Sequence, residues 1–217
     1  MTNKTKWLSD ELHAYLVAHG STPDEIVADL IAETRAALPE LVQMQIAPEQ
    51  AGFLTLFTRI TGARYAVEVG TFTGLSAIAI ARGMGPDGRL VCCDLSEEYT
   101  SIARRYWARA DLDQQIELRL GPAADTLRAM PAEPHIDLAF IDADKTAYPV
   151  YWAELVPRMR PGGVILVDNV LRHGDVLAPQ DDDAKAIVAF NKEVRADPRV
   201  ESVMLPLADG VTIARKV

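Results

Sequence analysis

Tyr65-Ala66-Val67-Glu68-Val69-Gly70-Thr71-Phe72-Thr73-Gly74-Leu75-Ser76 runs from an apolar stretch through a glycine-bearing turn into an amphipathic segment. It reads as a strand, a tight turn and a helix, the opening of a βαβ unit. The texture then repeats. Strands are expected at Tyr65 to Val69, Arg89 to Asp94, Ile116 to Leu120, Ile136 to Ile141 and Val164 to Asp168. Helices are expected between them at Leu75 to Met84, Glu97 to Ala110, Ala123 to Met130 and Thr146 to Met159. Short apolar runs alternating with longer amphipathic ones predict a doubly wound, Rossmann-like α/β sheet, mainly parallel. A last helix, Asp183 to Ala196, precedes Val200 to Pro206 and Val211 to Lys216, which read as an antiparallel hairpin across Leu207-Ala208-Asp209-Gly210. Upstream, Trp7 to Ala18, Asp24 to Leu38 and Pro48 to Thr61 read as helices, broken at Gly20-Ser21-Thr22-Pro23. This segment, residues 1–62, suits a lid or an oligomer surface within one domain spanning 1–217, since no repeat, linker or low-complexity tract divides the chain.

The turn departs from the dinucleotide pattern GxGxxG, because Phe72 stands between glycines spaced four apart, at Gly70 and Gly74. Asp94 ends the second strand where an acidic side chain accepts hydrogen bonds from ribose hydroxyls. A nucleoside is therefore expected rather than a dinucleotide. Glu68 disfavours phosphate nearby and suits the ammonium group of an amino acid. S-adenosylmethionine carries adenosine, ribose, a sulfonium and an amino acid, and no phosphate. The plainer alternative is that both glycines serve only the turn and Asp94 caps the next helix.

Two further clusters end apolar runs: Asp142-Ala143-Asp144-Lys145 after Leu138 to Ile141, and Asp168-Asn169 after Val164 to Val167. If both runs are parallel strands of one sheet, their carboxyl ends open into one crevice. Two carboxylates and an amide oxygen form a hard ligand set for Mg, with Mn and Ca also suited, rather than for Zn. Lys145 then lies beside a metal site formed by Asp142, Asp168 and Asn169. Taken singly, the aspartates are strand-end caps and Lys145 a solvated helix-start residue; together they make a site. Asp144 is expected to support the loop, Tyr148 and Tyr151 to pack, and Asp181-Asp182-Asp183 to begin a solvated helix.

The chain has 217 residues, of which 49% are apolar, and a formal charge of -9. Its pI is near 4.9 and its mean hydropathy +0.02. That size suits one buried core, and that charge repels nucleic acid. No apolar run is long enough to span a bilayer, and the start MTNKTKWLSDE is polar, so a cytoplasmic location and no membrane partner are expected. Cys92 and Cys93 are adjacent in a strand, point to opposite faces and are expected to be reduced, buried thiols.

In this order, VEVGTFTGLSA, VCCDLSEE, LGPA, FIDADK and VDNVL closely resemble the cation-dependent O-methyltransferases of the caffeoyl-CoA and catechol type. The resemblance runs from about Met44 to the closing LPLADGVTIARK. It implies the class I methyltransferase sheet of seven strands, the last antiparallel, with extra N-terminal helices, in a homodimer. It places cofactor contacts at Ile46, Glu68, Gly70, Thr71, Ser76, Asp94 and Ala123, with Asp142 shared between cofactor and metal. It makes Asp142, Asp168 and Asn169 the metal ligands and Lys145 the catalytic base. The implied reaction moves the methyl of S-adenosylmethionine to one hydroxyl of a vicinal aromatic diol that chelates the cation, leaving S-adenosylhomocysteine. A lysine ordinarily titrates near about 10.4, so such a base needs burial or the nearby cation to favour its neutral form. Many relatives carry Trp followed by Ser or Asn and Gly after the Asp-Asn pair, whereas here Leu171 leads to Arg172, His173 and Gly174. An arginine there either favours an anionic substrate or points to solvent. Two other readings stand beside this one: a noncatalytic S-adenosylmethionine-binding protein, and a nicotinamide-dependent oxidoreductase on a Rossmann-like fold.

Overall fold

A computed structural model describes residues 8–217. Its strands are β1 Tyr65–Val69, β2 Arg89–Asp94, β3 Ile116–Leu120, β4 Ile136–Ile141, β5 Met159–Val167, β6 Val200–Leu205 and β7 Val211–Lys216. They form one seven-stranded sheet in the order β3-β2-β1-β4-β5-β7-β6. The first five pair in parallel. β7 lies antiparallel between β5 and β6, as the closing hairpin predicts. Strand order reverses between β1 and β4, so a crevice opens beyond their carboxyl ends.

Side chains alternate across this sheet with period two. Ala66, Leu90, Leu138 and Leu166 enter a core with α3 Pro48–Thr61, α4 Leu75–Met84 and α5 Glu97–Arg109. Val67, Val91, Ala139 and Ile165 enter the opposite core with α6 Ala123–Ala129, α7 Tyr148–Arg158 and α8 Asp182–Ala196. Cys92 and Cys93 fall one in each core, both free and buried. Burial pushes the Cys93 thiol up to about 12, which leaves it unreactive.

The structure moves several boundaries, most of them by one or two residues, and those around β5 and α7 matter most. β5 starts at Met159 rather than Val164, and its pairing with β4 jumps from Ile136↔Met159 to Leu138↔Val164. The Pro161-Gly162-Gly163 run is thus absorbed as an irregularity within the strand. It ends at Val167, leaving Asp168 just beyond the strand. The helix expected from Thr146 is a 3-10 turn over Lys145–Ala147 followed by α7, which has proline in its first turn. Pro39–Met44 adds a short 3-10 helix where Pro39 stops α2 Glu25–Ala37.

Of the first expected helix, Trp7 lies outside the described residues; α1 is Asp10–Ala18, with Ser9 accepting the Leu12 amide at 3.3 Å. α1 buries none of its residues, and Leu12, Tyr15 and Leu16 are exposed on it. No helix among the described residues is long and apolar enough to cross a membrane.

Candidate functional site

The turn after β1 is folded by its own amides. The Gly70 N–H donates to the Cys93 carbonyl at 3.0 Å, and Thr71 and Phe72 N–H groups both donate to Asp94 Oδ2 at 2.9 Å. Asp94 Oδ1 accepts the Ser96 amide at 2.8 Å. These three bonds fill three of a carboxylate's roughly four acceptor directions. Asp94 therefore organises the turn and also faces the cavity, with limited capacity left for ribose hydroxyls.

Gly70 has φ +90, and a Cβ there would sit 2.1 Å from the Asp142 carbonyl oxygen. At Gly74, φ is +87 and a Cβ would meet Trp107 at 2.6 Å. Both glycines are thus required by protein packing, and Gly70 lets the ends of β1 and β4 touch. The Asp142 N–H donates to the Val69 carbonyl at 2.8 Å, which brings the cofactor turn and the Asp142 loop together.

Glu68 is fully buried behind Thr71, whose hydroxyl donates to Oε2 at 3.0 Å. Its Oε1 is buried with no hydrogen-bond partner. Burial pushes this carboxyl up to about 7. An orphaned acceptor of this kind is costly unless a donor arrives from the cavity, and an amino-acid ammonium meets that need.

The other half of the site forms where β4 and β5 end. Lys145 Nζ donates to Asp142 Oδ1 at 3.0 Å and to Tyr148 Oη at 2.8 Å. Tyr148 Oη in turn donates to the Asp168 carbonyl at 3.2 Å. Asp168 is buried; its Oδ1 accepts the Asn169 amide and its Oδ2 accepts Gln50 Nε2, each at 2.7 Å. Burial, with the Asp142 charge adding to it, pushes the Asp168 carboxyl up to about 7. Asn169 holds φ +56, a backbone region that asparagine tolerates better than most residues. Among the described residues, no three His, Cys, Asp or Glu side chains converge as a metal cluster. The candidate donors here are two carboxylates and an amide, all oxygen, and two acids against one ammonium leave room for a divalent charge.

One cavity of about 1120 Å³ joins the two halves. Ile46, Gly70, Thr71, Ser76, Asp94, Ala123, Asp142, Lys145, Asp168 and Asn169 all line it; Glu68 alone of the expected site residues stands behind the wall. Residues 18–217 match the model of the O-methyltransferase family. The chain belongs to that family.

Among its relatives, Probable caffeoyl-CoA O-methyltransferase 1 of Dictyostelium discoideum is 38% identical over 94% of this chain and 90% of that protein. The O-methyltransferase of Bacillus cereus, crystallised with SAH, is 34% identical with a TM-score of 0.85, covering 94% of this chain and 96% of that one. TomG of Streptomyces achromogenes, an O-methyltransferase of tomaymycin synthesis crystallised with SAM, is 29% identical with a TM-score of 0.84, covering 95% and 96%. This O-methyltransferase is accordingly a methyltransferase enzyme dependent on S-adenosylmethionine, which sets aside both the oxidoreductase and the noncatalytic reading.

Reading the sequence alone missed how the N-terminal segment is tied to the site. Gln45 Nε2 donates to Thr34 Oγ1 and Thr73 Oγ1 at 3.1 Å, and Thr34 Oγ1 donates to Thr73 Oγ1 at 3.0 Å. Ile46 follows directly. Gln50, one turn before Leu54 on the buried face of α3, reaches Asp168. A polar side chain at a helical core position is the sequence signal that points to such a tie. Tyr148, expected to pack, also hydrogen-bonds Lys145. Tyr151 Oη donates to Asp144 Oδ1 at 2.6 Å, so Asp144 braces its loop as expected. Asp181 caps α8 by accepting the Ala184 amide at 2.7 Å, the solvated helix start anticipated for that acidic run.

Proposed function

We propose that this O-methyltransferase is cation-dependent and methylates one hydroxyl of a vicinal aromatic diol. The observation that carries the reading is the meeting of Asp142, Asp168, Asn169 and Lys145 in the same cavity as the cofactor turn. Asp142, Asp168 and Asn169 would hold the ion, Mg first. When bound, a divalent cation supplies Lewis-acid charge and a template that favours an ionised hydroxyl. Lys145 takes the proton of the hydroxyl being methylated, and such transfer contributes about 10²–10⁴-fold. Asp142 and Tyr148 hold its Nζ in place, while Gln50 and the Asn169 amide fix Asp168. Glu68 receives the ammonium of S-adenosylmethionine, Asp94 receives its ribose, and Ile46 and Ala123 offer apolar wall to its adenine. The test is mass-spectrometric detection of methyl transfer to vicinal diols and matched monophenols, with Mg or with chelator. Methylated diols only with Mg are expected; equal transfer in chelator contradicts the cation's role.

The Glu68 assignment predicts a pH dependence. Below about pH 7 the carboxyl is protonated and no longer attracts an ammonium. Affinity for S-adenosylhomocysteine should therefore fall on acidification, by up to about tenfold per pH unit, and Glu68→Gln should flatten that slope. Calorimetric titration between about pH 5 and 8 reads it; a slope that persists in the variant removes Glu68 from the ammonium site.

We also place a second copy of the chain over α1. This helix has nine residues and buries none of them, and a helix so short is marginal without a covering surface. Light scattering should return a dimer that Leu12→Asp with Leu16→Asp dissociates. A wild-type monomer excludes it.

A further inference from the structure

Arg172 stands on the cavity wall three residues beyond Asn169, on a segment whose backbone is held in a sparsely populated conformation. Arg172 has φ +47 and His173 φ +51, both in the left-handed region that non-glycine residues rarely enter. The hairpin turn before β7 clamps the segment there. Val170 and Leu171 N–H groups donate to the Gly210 and Asp209 carbonyls at 3.1 and 3.0 Å, and the His173 amide donates to Asp209 Oδ1 at 2.6 Å. A Cβ on Gly210 would lie 2.4 Å from Leu171, so the turn presses directly on this segment.

The guanidinium held this way is not a solvated one. Its side chain is 24% exposed, and its Nε is buried with no hydrogen-bond partner. The acid that faces it, Asp183 at the start of α8, is half exposed and stands 3.6 Å away, beyond hydrogen-bond range. Asp209 is bound to the His173 amide and lies 3.5 Å from that ring. Two other cations line the cavity, and both are held at hydrogen-bond distance: Lys145 by Asp142 at 3.0 Å, Arg128 by Asp125 at 3.0 Å. Arg172 thus keeps its terminal N–H donors for an anionic oxygen pair at the wall of the cavity that Asp142, Asp168 and Asn169 also line. Planar N–H pairs of this kind match a carboxylate with two parallel bonds.

We propose that Arg172 recognises a carboxylate on the acceptor, so that the preferred substrates are dihydroxyaryl acids rather than neutral diols. The inference rests on the vicinal-diol reading above and narrows it. The test compares kcat/KM for 3,4-dihydroxycinnamate and its methyl ester, with the coenzyme A thioester as a third acceptor, in wild type, Arg172→Gln and Arg172→Lys. Each acceptor is compared with itself across enzymes, so intrinsic reactivity cancels. The acid-to-ester ratio is expected to fall about 10- to 100-fold in Arg172→Gln, the worth of a charged hydrogen bond, and to be partly kept in Arg172→Lys. A loss shared equally by acid and ester, as from damage to the fold, overturns the proposal. So does a loss confined to the thioester, which would assign the guanidinium to a phosphate. Turnover of the ester with an unmoved ratio defeats this inference while leaving the diol reading intact; no methylation of any diol defeats both.

Discussion

Asp168→Asn is expected to lower kcat/KM by about 10³-fold, the several kcal/mol that a cation contributes as Lewis acid and template, while S-adenosylhomocysteine still binds. The substitution is nearly isosteric. An asparagine oxygen can still accept the Asn169 amide, and Gln50 can rotate its amide to present oxygen instead of nitrogen to the new NH₂ group. The charge alone is lost. Folding should change little, because the wild-type carboxyl is already pushed up to about 7 by burial beside Asp142 and so is partly neutral near that pH. Thermal melts with and without S-adenosylhomocysteine, alongside Mg titration of activity, separate the two effects. A variant within tenfold of wild type would remove Asp168 from the metal site.

Lys145→Ala is expected to cut kcat by about 10²–10⁴-fold, the range of a lost general base, with cofactor affinity retained. Its effect on the cation has the opposite sign. Lys145 Nζ lies 3.0 Å from Asp142 Oδ1 and competes with a cation for that oxygen. Removing it should tighten Mg binding, whereas loss of a merely structural lysine would loosen the Asp142 loop and weaken binding. Calorimetric Mg titration of the S-adenosylhomocysteine-loaded variant reads this directly. Unchanged turnover removes Lys145 from the chemistry; weakened Mg binding makes it a structural brace.

Much of this arrangement is legible in the chain because its information is local. An apolar run ending in Asp-x-Asp-Lys or Asp-Asn marks a strand whose carboxyl end carries polar side chains, and β1, β2, β3 and β4 begin and end where alternation and flanking turn residues place them. The start of β5 is not legible locally, since Pro161-Gly162-Gly163 breaks a strand by local preference and only the Ile136↔Met159 pairing, on the far side of that irregularity, carries the strand back to Met159. Gly70 and Gly74 are visible as glycines, yet their reason is long-range: the Asp142 carbonyl and Trp107 fill the space where side chains would go. Gln50 is the clearest loss. Its partner Asp168 is 118 residues away, and nothing in the local pattern of α3 names it. Nothing local decides between substrate and solvent for Arg172, because its place on the cavity wall depends on the distant turn before β7.

Cation and acceptor are expected to bind as one unit, held by Asp142, Asp168 and Asn169. The most direct measurement is calorimetric titration of a vicinal aromatic diol into the S-adenosylhomocysteine-loaded protein, with Mg and again with chelator. Binding is expected only with Mg and only for diols with adjacent hydroxyls, and is expected to vanish in Asp168→Asn. Equal affinity in chelator, or equal affinity for a monophenol, would contradict the account.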